Sequence, residues 1–401
     1  MNPARQPIRY ERIASDKELA TLCDALAGCA SIALDTEFVS EDTYRPELCL
    51  IQVEAGAKRV VIDPFQIEDV TPFWRLIVRG AHQTIMHAAR EEMAFCLRLG
   101  GGLPADVFDT QIAAGFVGFE FPTSYAALLN RVLSTSLSKH ETRTDWRRRP
   151  LSKGQLQYAM QDVVYLHALR DALVERLTKA GRLEWFQTEM RQWRSQLEID
   201  LRSERWWRMA SLTGLSARQL AIVRELWRWR EAEAERENRP VRRVLRDDLL
   251  VELARRGKAD LAGISAIRGM QNRDLRKRLP SLAEAIQRGN RLQPDSLPEP
   301  PQRDSHPQLQ VLCQFLATVT NAVCRGAGIS PGIVGTVADL RELVAYRLGL
   351  EYPAGGGVPR LAQGWRHQLV GDLIEGVLQG KVVVRIGNPL AESPLCLERL
   401  D

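Results

Sequence analysis

The sequence predicts an α/β domain, in which a mixed sheet is flanked by helices, followed by two regions that are all-α. Short apolar strands alternate with helical segments as far as residue 109, and helical periodicity dominates from residue 110 onwards. Five prolines between residues 294 and 307 interrupt the helical half. Because 401 residues are too many for one ordinary core, two to four domains are expected.

The composition is that of an ordinary globular protein, with 45% hydrophobic and 26% charged residues. We find no apolar run of about 18 residues and no apolar N-terminal segment, so neither a membrane helix nor a secretory signal is expected. The seven cysteines are scattered and form no Cys-x-x-Cys pair. This pattern favours small buried side chains in a reducing cytoplasm over zinc ligands or disulfides.

The strands of the first domain are short and bounded by turn signals. Gly56 separates two of them, which favours an antiparallel meander. Asp109 follows the last strand and can cap the next helix. The predicted elements are a helix over residues 16–27, strands over 32–34, 48–53 and 59–63, a helix over 71–78, a strand over 83–87, a helix over 88–99 and a strand over 107–109.

The remaining chain is mostly helical. An apolar stripe predicts a helix over 154–178, and an amphipathic stretch over 183–207 indicates a connector. Ser216 is an expected N-cap. The other predicted helices cover residues 217–236, 247–254, 258–262, 273–287 and most of 308–379, and residues 381–386 can form a short strand or a tail.

Residues 201–300 carry a charge of about +8 within a total of +5. A basic middle region suits a polyanionic partner, although a solvated helical face explains it equally well.

The first candidate site is Asp35-x-Glu37, at the end of a predicted buried strand. Side chains two apart on a strand point to the same side, so both carboxylates can converge on one divalent cation. A solvated strand end is the simpler explanation of this motif alone.

Two further candidates contain acidic residues on helices. Glu91 and Glu92 begin the helix after His87, where acids also complement the helix dipole. Tyr158 and Asp162 lie four residues apart and share one helical face. The phenol and the carboxylate can together orient a water beside a metal, or Tyr158 can simply be half-buried with Asp162 exposed.

Taken in order, these motifs resemble the ribonuclease D family, 3′–5′ exonucleases of the tyrosine subclass of the DEDD superfamily. The resemblance rests on residues 35–39, 43–44, 50–52, 108–111, 143–146, 149–152 and 158–166, with residues 211–290 similar to an HRDC domain (the helicase-and-RNase-D C-terminal domain) and residues 308–379, including 364–366, similar to a divergent second copy. It implies a ribonuclease-H-like exonuclease domain followed by two HRDC-type domains.

The resemblance also implies a mechanism of phosphodiester hydrolysis with two divalent ions, Mg²⁺ or Mn²⁺. Asp35 would bridge the ions, Glu37 and Asp162 would complete the first site, Glu92 would support the second, and Tyr158 would aim the attacking water. The family usually has Asp where Glu92 stands, and we expect the longer side chain still to reach. Glu91 points about 100° away from Glu92 and is less suitable.

The expected substrate is RNA with a free 3′ end, such as a tRNA precursor, and the products are nucleoside 5′-monophosphates. Phe38 is expected to contact the terminal base, and Arg143 and Arg147 to Arg149 to hold phosphates; ordinary structural roles fit these residues as well. The expected molecule is a cytoplasmic monomer without a membrane partner. A DNA exonuclease and a non-catalytic RNA-binding protein with a decayed site are the alternatives.

The domain boundaries that follow are 1–180 for the exonuclease domain, 181–210 for a helical connector, 211–290 for the HRDC domain, 291–307 for a Pro-rich linker and 308–401 for the second HRDC-like domain and tail.

Overall fold

A computed structural model describes residues 7–137, 144–300, 306–350, 357–391 and 394–400. The chain divides into two compact units. Unit 1 comprises the described residues of Met1–Glu37, Leu48–Leu201 and Ser305–Asp401, and unit 2 those of Phe38–Glu47 and Arg202–Asp304. The C-terminal residues therefore belong to the same compact unit as the N-terminal sheet.

Unit 1 is built around a six-stranded mixed sheet with the strand order β1-β4-β3-β2-β5-β6. Its strands are β1 (Glu11–Ile13), β2 (Ser31–Val39), β3 (Glu47–Ala55), β4 (Lys58–Ile62), β5 (Gln83–Met86) and β6 (Asp106–Asp109). β3 and β4 are antiparallel, which confirms the predicted meander, whereas β2, β5 and β6 run parallel. β1, which the sequence did not reveal, pairs in parallel with β4.

The strand that carries the first candidate motif is longer than expected. Its apolar residues Ile32, Ala33 and Leu34 are completely buried, but β2 continues through both carboxylates to Val39. The pairing with β5 ends at Ala33. The acidic residues therefore lie within the strand, just beyond the last residue of β2 that pairs with β5.

The helices of this part pack on the sheet and on one another. They are α1 (Asp16–Leu26), α2 (Thr71–Arg79), α3 (Arg90–Phe95), α4 (Thr110–Phe116), α5 (Tyr125–Leu133), α6 (Lys153–Gln161), α7 (Leu166–Lys179) and α8 (Leu183–Arg202), with a 3₁₀ turn at Pro64–Gln66 and a π turn at Cys96–Gly100 that extends α3.

The helix predicted over residues 154–178 is two helices, α6 and α7. A turn at residues 162–165 separates them, and Asp162 is the C-cap of α6. Val163 and Val164 occupy this turn, and β-branched side chains lose rotamer freedom in a helix, which lowers its stability there. The predicted apolar stripe is confirmed in α7, where Leu166, Leu169, Leu173 and Leu177 are completely buried.

Unit 2 is helical and contains α9 (Ala217–Arg236), α10 (Val241–Val244), α11 (Asp247–Arg256), α12 (Leu261–Ser265), α13 (Arg273–Lys277) and α14 (Leu279–Arg291), with 3₁₀ turns at Trp206–Arg208 and Pro294–Ser296. Ser216 caps α9 through a capping box, as predicted. The helix expected over 258–262 begins at Leu261, and that over 273–287 is divided into α13 and α14.

The segment Phe38–Glu47 belongs to unit 2 and is held against α9. The Tyr44 hydroxyl donates to Glu231 at 3.1 Å, and its backbone N–H donates to Asn238 at 3.2 Å. Trp229 lies in the core of this unit, whereas Trp207 is exposed.

The C-terminal region contains α15 (Pro307–Ala327), α16 (Pro331–Val334), α17 (Val337–Arg347), α18 (Gly364–Arg366) and α19 (Asp372–Leu378), with a 3₁₀ turn at Arg360–Ala362 and a π turn at His367–Gly371. The strand expected near 381–386 forms, as β7 (Val382–Ile386), and pairs antiparallel with β8 (Leu395–Arg399), which was not expected.

Two polar clusters join this region to the rest of unit 1. Buried Glu189 on α8 accepts hydrogen bonds from the Arg366 guanidinium at 2.6 and 2.9 Å and from Arg360 at 2.6 Å. The Arg182 guanidinium donates to the carbonyl oxygens of Phe116, Ala327 and Gly328. These contacts link α8 and the N-terminal helices to α15 and α18.

Among the described residues, no helix is both long enough and apolar enough to cross a membrane. All seven cysteines are free thiols, and four of them are buried.

Candidate functional site

The candidate site lies where three parallel strands end. Beyond its pairing with β5, β2 presents Asp35 and Glu37, which alternation of side chains places on one face. β5 leads into His87, and β6 ends at Asp109. The carboxyl ends of parallel strands form the usual binding edge of an open α/β sheet.

Three carboxylates converge at this edge. Asp35, Glu37 and Asp162 each offer an oxygen, and these oxygens all lie within 4.8 Å of one another. Asp162 comes from the end of α6, so the break between α6 and α7 places its carboxylate beside β2. Three carboxylates at this spacing are hard oxygen donors, and they fit a divalent ion such as Mg²⁺.

The electrostatics agree with this donor set. Burial, followed by the charges of Asp162 and Glu92, raises the pKa of Glu37 to about 8. The same causes raise the pKa of Asp35 well above its usual value, and burial raises that of Asp162 to about 7. The protein thus concentrates negative charge in a poorly solvated place, which a bound cation would relieve.

Glu92 is close to these carboxylates but is not one of the converging three. It is buried on α3, and its Oε1 accepts a hydrogen bond of 2.7 Å from the hydroxyl of Thr36. Burial raises the Glu92 pKa to about 7, and the hydrogen bond from Thr36 opposes this shift. The neighbouring Glu91 is more exposed, in keeping with the choice of Glu92 over Glu91.

Tyr158 lies on α6, one turn before Asp162, and is half-buried. Its ring centroid is 6.3 Å from that of Trp146. Burial and the charges of Asp162, Glu37 and Asp35 raise its pKa above the usual value, so the phenol stays protonated at neutral pH. A protonated phenol beside the carboxylates can donate a hydrogen bond to a water.

Tyr125, which the sequence did not indicate, also belongs to the surroundings of the site. Its hydroxyl donates to the carbonyl of Gln161 at 3.3 Å, immediately before Asp162. Burial and the charges of Asp162 and Asp35 raise its pKa. Its ring packs against that of His87, with centroids 5.4 Å apart. Tyr125 therefore supports the end of α6.

His87 has a structural position. Its Nδ1 contacts the Thr110 hydroxyl at 2.9 Å, and its Nε2 contacts the Thr123 carbonyl at 3.1 Å. Burial lowers the His87 pKa, which favours the neutral ring. A neutral ring that donates from Nε2 and accepts at Nδ1 satisfies both contacts.

Asp109 has a larger role than the helix cap that was predicted. Its buried carboxylate accepts from the backbone N–H groups of Gln111 and Ile112, which cap α4, and also from those of Ala88 and Ala89. Ala88 has a φ of +56°, in the left-handed region that costs energy for a residue other than glycine. Asp109 thus fixes the turn between β5 and α3, which carries Glu92.

The residues that were predicted to contact the RNA lie in different parts of the chain. Arg147 donates from Nε to Asp145 at 3.2 Å, and Phe38 follows Glu37 on β2. Arg143 lies outside the described residues. For these three, contact with a substrate stays a prediction.

Arg149, by contrast, has a structural role. Its Nε and Nη2 donate to the buried Asp63 at 2.9 and 2.7 Å, and Nη2 also donates to the Cys49 carbonyl at 2.7 Å. Phe65 packs against the guanidinium at 4.7 Å. These contacts bind the loop before α6 to the sheet.

The chain was compared with known families and proteins. A family model described as 3′–5′ exonuclease matches residues 10–178, and one described as HRDC domain matches residues 219–286. Ribonuclease D of Pseudomonas paraeruginosa is 34% identical over 376 residues, which cover 92% of this chain and 97% of that protein. Ribonuclease D of Bartonella henselae is 31% identical, over 89% of this chain and 87% of that protein.

The solved structure of Escherichia coli RNase D, described as an exoribonuclease involved in structured RNA processing, is also similar. It superposes with a TM-score of 0.80 and 28% identity, and the match covers 93% of this chain and 99% of that one. A protein from Bifidobacterium adolescentis shares the fold, with a TM-score of 0.65 at 23% identity.

Proposed function

The chain belongs to the ribonuclease D family of exoribonucleases, and we propose that it shortens RNA from the 3′ end by metal-dependent hydrolysis at Asp35, Glu37, Glu92, Asp162 and Tyr158. The observation that supports this site most strongly is the convergence of three partly buried carboxylates at the carboxyl edge of the sheet.

Each residue has a distinct proposed role. Asp35 would bridge two divalent ions, Glu37 and Asp162 would complete the first ion's ligands, and Glu92 would act on the second from its place beside Thr36. When bound, the ions supply Lewis acidity that activates the attacking water and stabilises the departing 3′ oxygen. Carboxylates suit this task because Mg²⁺ and Mn²⁺ both prefer oxygen ligands.

Tyr158 would orient the water rather than deprotonate it. Its raised pKa keeps the proton on the phenol, so the hydroxyl can donate a hydrogen bond but is a poor base. Trp146 packs beside the ring and restricts its position. Hydrolysis of each phosphodiester would release a nucleoside 5′-monophosphate.

The proposal extends to the substrate. Precursor tRNA with a 3′ extension is the proposed RNA, in line with the described involvement of the similar Escherichia coli RNase D in structured RNA processing. We propose that the chain acts as a cytoplasmic monomer, with the domain boundaries given above, and that Phe38, Arg143 and Arg147 hold the RNA end.

The test is hydrolysis of an RNA with a 3′ overhang, labelled at its 5′ end, in Mg²⁺, Mn²⁺ or EDTA. We expect stepwise shortening that EDTA abolishes, and loss of that shortening in Asp35→Asn and Asp162→Asn with RNA binding retained. Glu175→Gln, which removes an exposed acid on α7, is the matched control. Full activity in Asp35→Asn would refute the site.

The two alternatives make different predictions. A DNA exonuclease would degrade an all-deoxy strand as fast as RNA, so a substrate with one terminal 2′-deoxynucleotide separates the two readings. A decayed, RNA-binding relative would bind but never hydrolyse. The presence of Asp35, Glu37, Tyr158 and Asp162 together argues against decay.

A further inference from the structure

A cleft of about 560 Å³ lies at the opposite end of the parallel strands from the carboxylates. It opens beside Gln83 and Asp106, the first residues of β5 and β6, and its other walls come from α7 and α8. Its volume is within the range of about 300–1,000 Å³ that is typical of ligand sites. The proposed active site does not use any of its lining residues.

The cleft has an excess of positive charge. Its charged lining residues among those described are Arg170, Arg191, Arg194 and Asp106. The Asp106 carboxylate accepts from the amide of Gln83 at 3.2 and 3.3 Å, and the Gln83 oxygen accepts from Arg170 at 2.8 Å. Asp106, the one carboxylate among the described lining residues, therefore accepts hydrogen bonds from the Gln83 amide. In none of these hydrogen bonds does it pair with Arg191 or Arg194 on α8.

The arginines of α8 keep donors available. Arg194 donates from Nη2 to the Leu103 carbonyl at 3.3 Å, while its Nε is buried without a hydrogen-bond partner among the described residues. Arg191 is exposed, and its Nη2 donates to the Thr188 hydroxyl at 2.9 Å. Since a guanidinium has five N–H donors, each of these side chains can still bind an anion.

The rest of the lining is apolar and includes Val174, Phe186 and Met190. An apolar wall beside guanidinium groups suits a nucleotide, whose phosphate is anionic and whose base and sugar offer flat or apolar surfaces. Arg191, Gln187 and Asp106 are exposed, so the cleft is open along one side. An open groove suits a polymer, which must continue beyond the site in both directions.

We propose that this cleft binds the phosphodiester backbone of single-stranded RNA as a second site, remote from the carboxylates. The four residues of β5 separate the two places by about 13 Å along the strand, at about 3.3 Å per residue. The inference rests on the proposed function, because RNA is the relevant polymer only if the chain acts on RNA. A second site would retain the RNA between successive cleavages.

The test is the salt dependence of binding of a labelled oligouridine RNA to the full chain in EDTA, which prevents hydrolysis. Each phosphate contact to a single strand contributes about 0.7 to the slope of log K against log salt. We expect Arg191→Ala/Arg194→Ala to lower this slope by about 1.4. Arg191→Lys/Arg194→Lys should keep the wild-type slope, because each lysine retains the charge.

The matched control is Arg75→Ala/Arg79→Ala, which removes two exposed arginines one turn apart on α2 and changes the net charge equally. Equal slopes for the two double variants, or no change in the cleft variant, would overturn the proposal. Because Arg194 contacts Leu103, the single Arg191→Ala variant is measured as well and should lose about 0.7. A chain that binds RNA in this way but never hydrolyses it with Mg²⁺ would refute the proposed function and leave the cleft site intact.

Discussion

The Thr36 hydroxyl donates a hydrogen bond of 2.7 Å to Glu92 Oε1, and both side chains are almost completely buried. Thr36 lies between Asp35 and Glu37 on β2, so alternation directs its side chain to the other face of the strand. β2 thus supplies the carboxylates of Asp35 and Glu37 to the site. From its opposite face it supplies the Thr36 hydroxyl, which holds Glu92.

This contact predicts that Thr36→Val lowers the hydrolysis rate by about 10- to 100-fold, because a displacement of about 1 Å in a catalytic group can cost that much. Loss of the hydrogen bond also removes one of the contacts that oppose burial in raising the Glu92 pKa, so the acid limb of the pH–rate profile should move to higher pH. Thr36→Ser keeps the hydroxyl and serves as the control. An unchanged rate and profile in Thr36→Val would show that the contact has no role in catalysis.

Glu92→Asp tests the same contact from the other side. The shortened acid should no longer reach Thr36, and we expect a loss of about 10²-fold in rate. The double variant Thr36→Val/Glu92→Asp should be little slower than either single variant, since both remove one interaction. A faster Glu92→Asp enzyme would instead mean that the longer acid is a handicap.

The raised carboxylate pKa values predict how stability depends on pH. An acid whose pKa is higher in the folded than in the unfolded protein stabilises the fold below its unfolded value, and this stabilisation disappears as pH rises to the folded value. For Glu37 the window runs from its ordinary value of 4.5 to about 8. In EDTA, Glu37→Gln should therefore melt at a progressively higher temperature than the wild type as pH rises through this window, by several degrees at pH 8.

Added Mg²⁺ should reverse this order, because the wild type gains a ligand that the variant holds less well. The exposed-acid variant Glu175→Gln should follow the wild type throughout. Parallel melting curves for Glu37→Gln and the wild type from pH 5 to 8 would contradict the assigned pKa of Glu37.

The turn held by Asp109 predicts a large effect on stability. Asp109→Ala leaves four backbone N–H groups without their acceptor and releases a turn in which Ala88 has a positive φ. We expect a loss of more than about 4 kcal/mol in the free energy of unfolding, measured with urea. Ser124→Ala removes an ordinary N-cap in the same unit and should cost only about 1 kcal/mol.

The buried pair between Glu189 and Arg366 leads to a further stability prediction. Glu189→Gln leaves the Arg366 guanidinium buried with its charge unbalanced, and breaking such a pair costs about 3–5 kcal/mol. The exposed pair of Glu398 and Arg385 gives the control, since Glu398→Gln should cost about 0–1 kcal/mol. Equal melting temperatures for the two variants would show that the buried pair does not stabilise the fold.

How far the sequence could predict the site depends on the distance between partners along the chain. Asp35 and Glu37 could be paired from strand alternation, and Tyr158 and Asp162 from their spacing. Their approach to one another was implied only by the family resemblance. Thr36 and Glu92 are 56 residues apart, so no local sequence pattern predicts their hydrogen bond.

The same reasoning explains the corrections. Asp109 was a predictable cap because its partners Gln111 and Ile112 are local, but Ala88 and Ala89 lie in the turn after β5, 21 and 20 residues away. Arg149 was predicted to hold a phosphate. Its partner Asp63 lies 86 residues away in the sequence, so no local pattern indicated their pairing. The single helix expected over 154–178 was wrong, because the apolar periodicity persists across the short turn at residues 162–165 that separates α6 from α7.

The division of unit 1 between the two ends of the chain has a consequence for synthesis. The chain leaves this unit at Leu201 and returns at Ser305, so about a hundred residues of unit 2 are translated before α15. Arg182 and Glu189 are translated before their partners in the C-terminal region, the Gly328 carbonyl and Arg366. Glu189 and Arg366 are 177 residues apart, so at about 5–20 residues per second about 9–35 s pass between their translation. The speed of translation across residues 202–360 therefore determines how long unit 1 of the nascent chain lacks its C-terminal part.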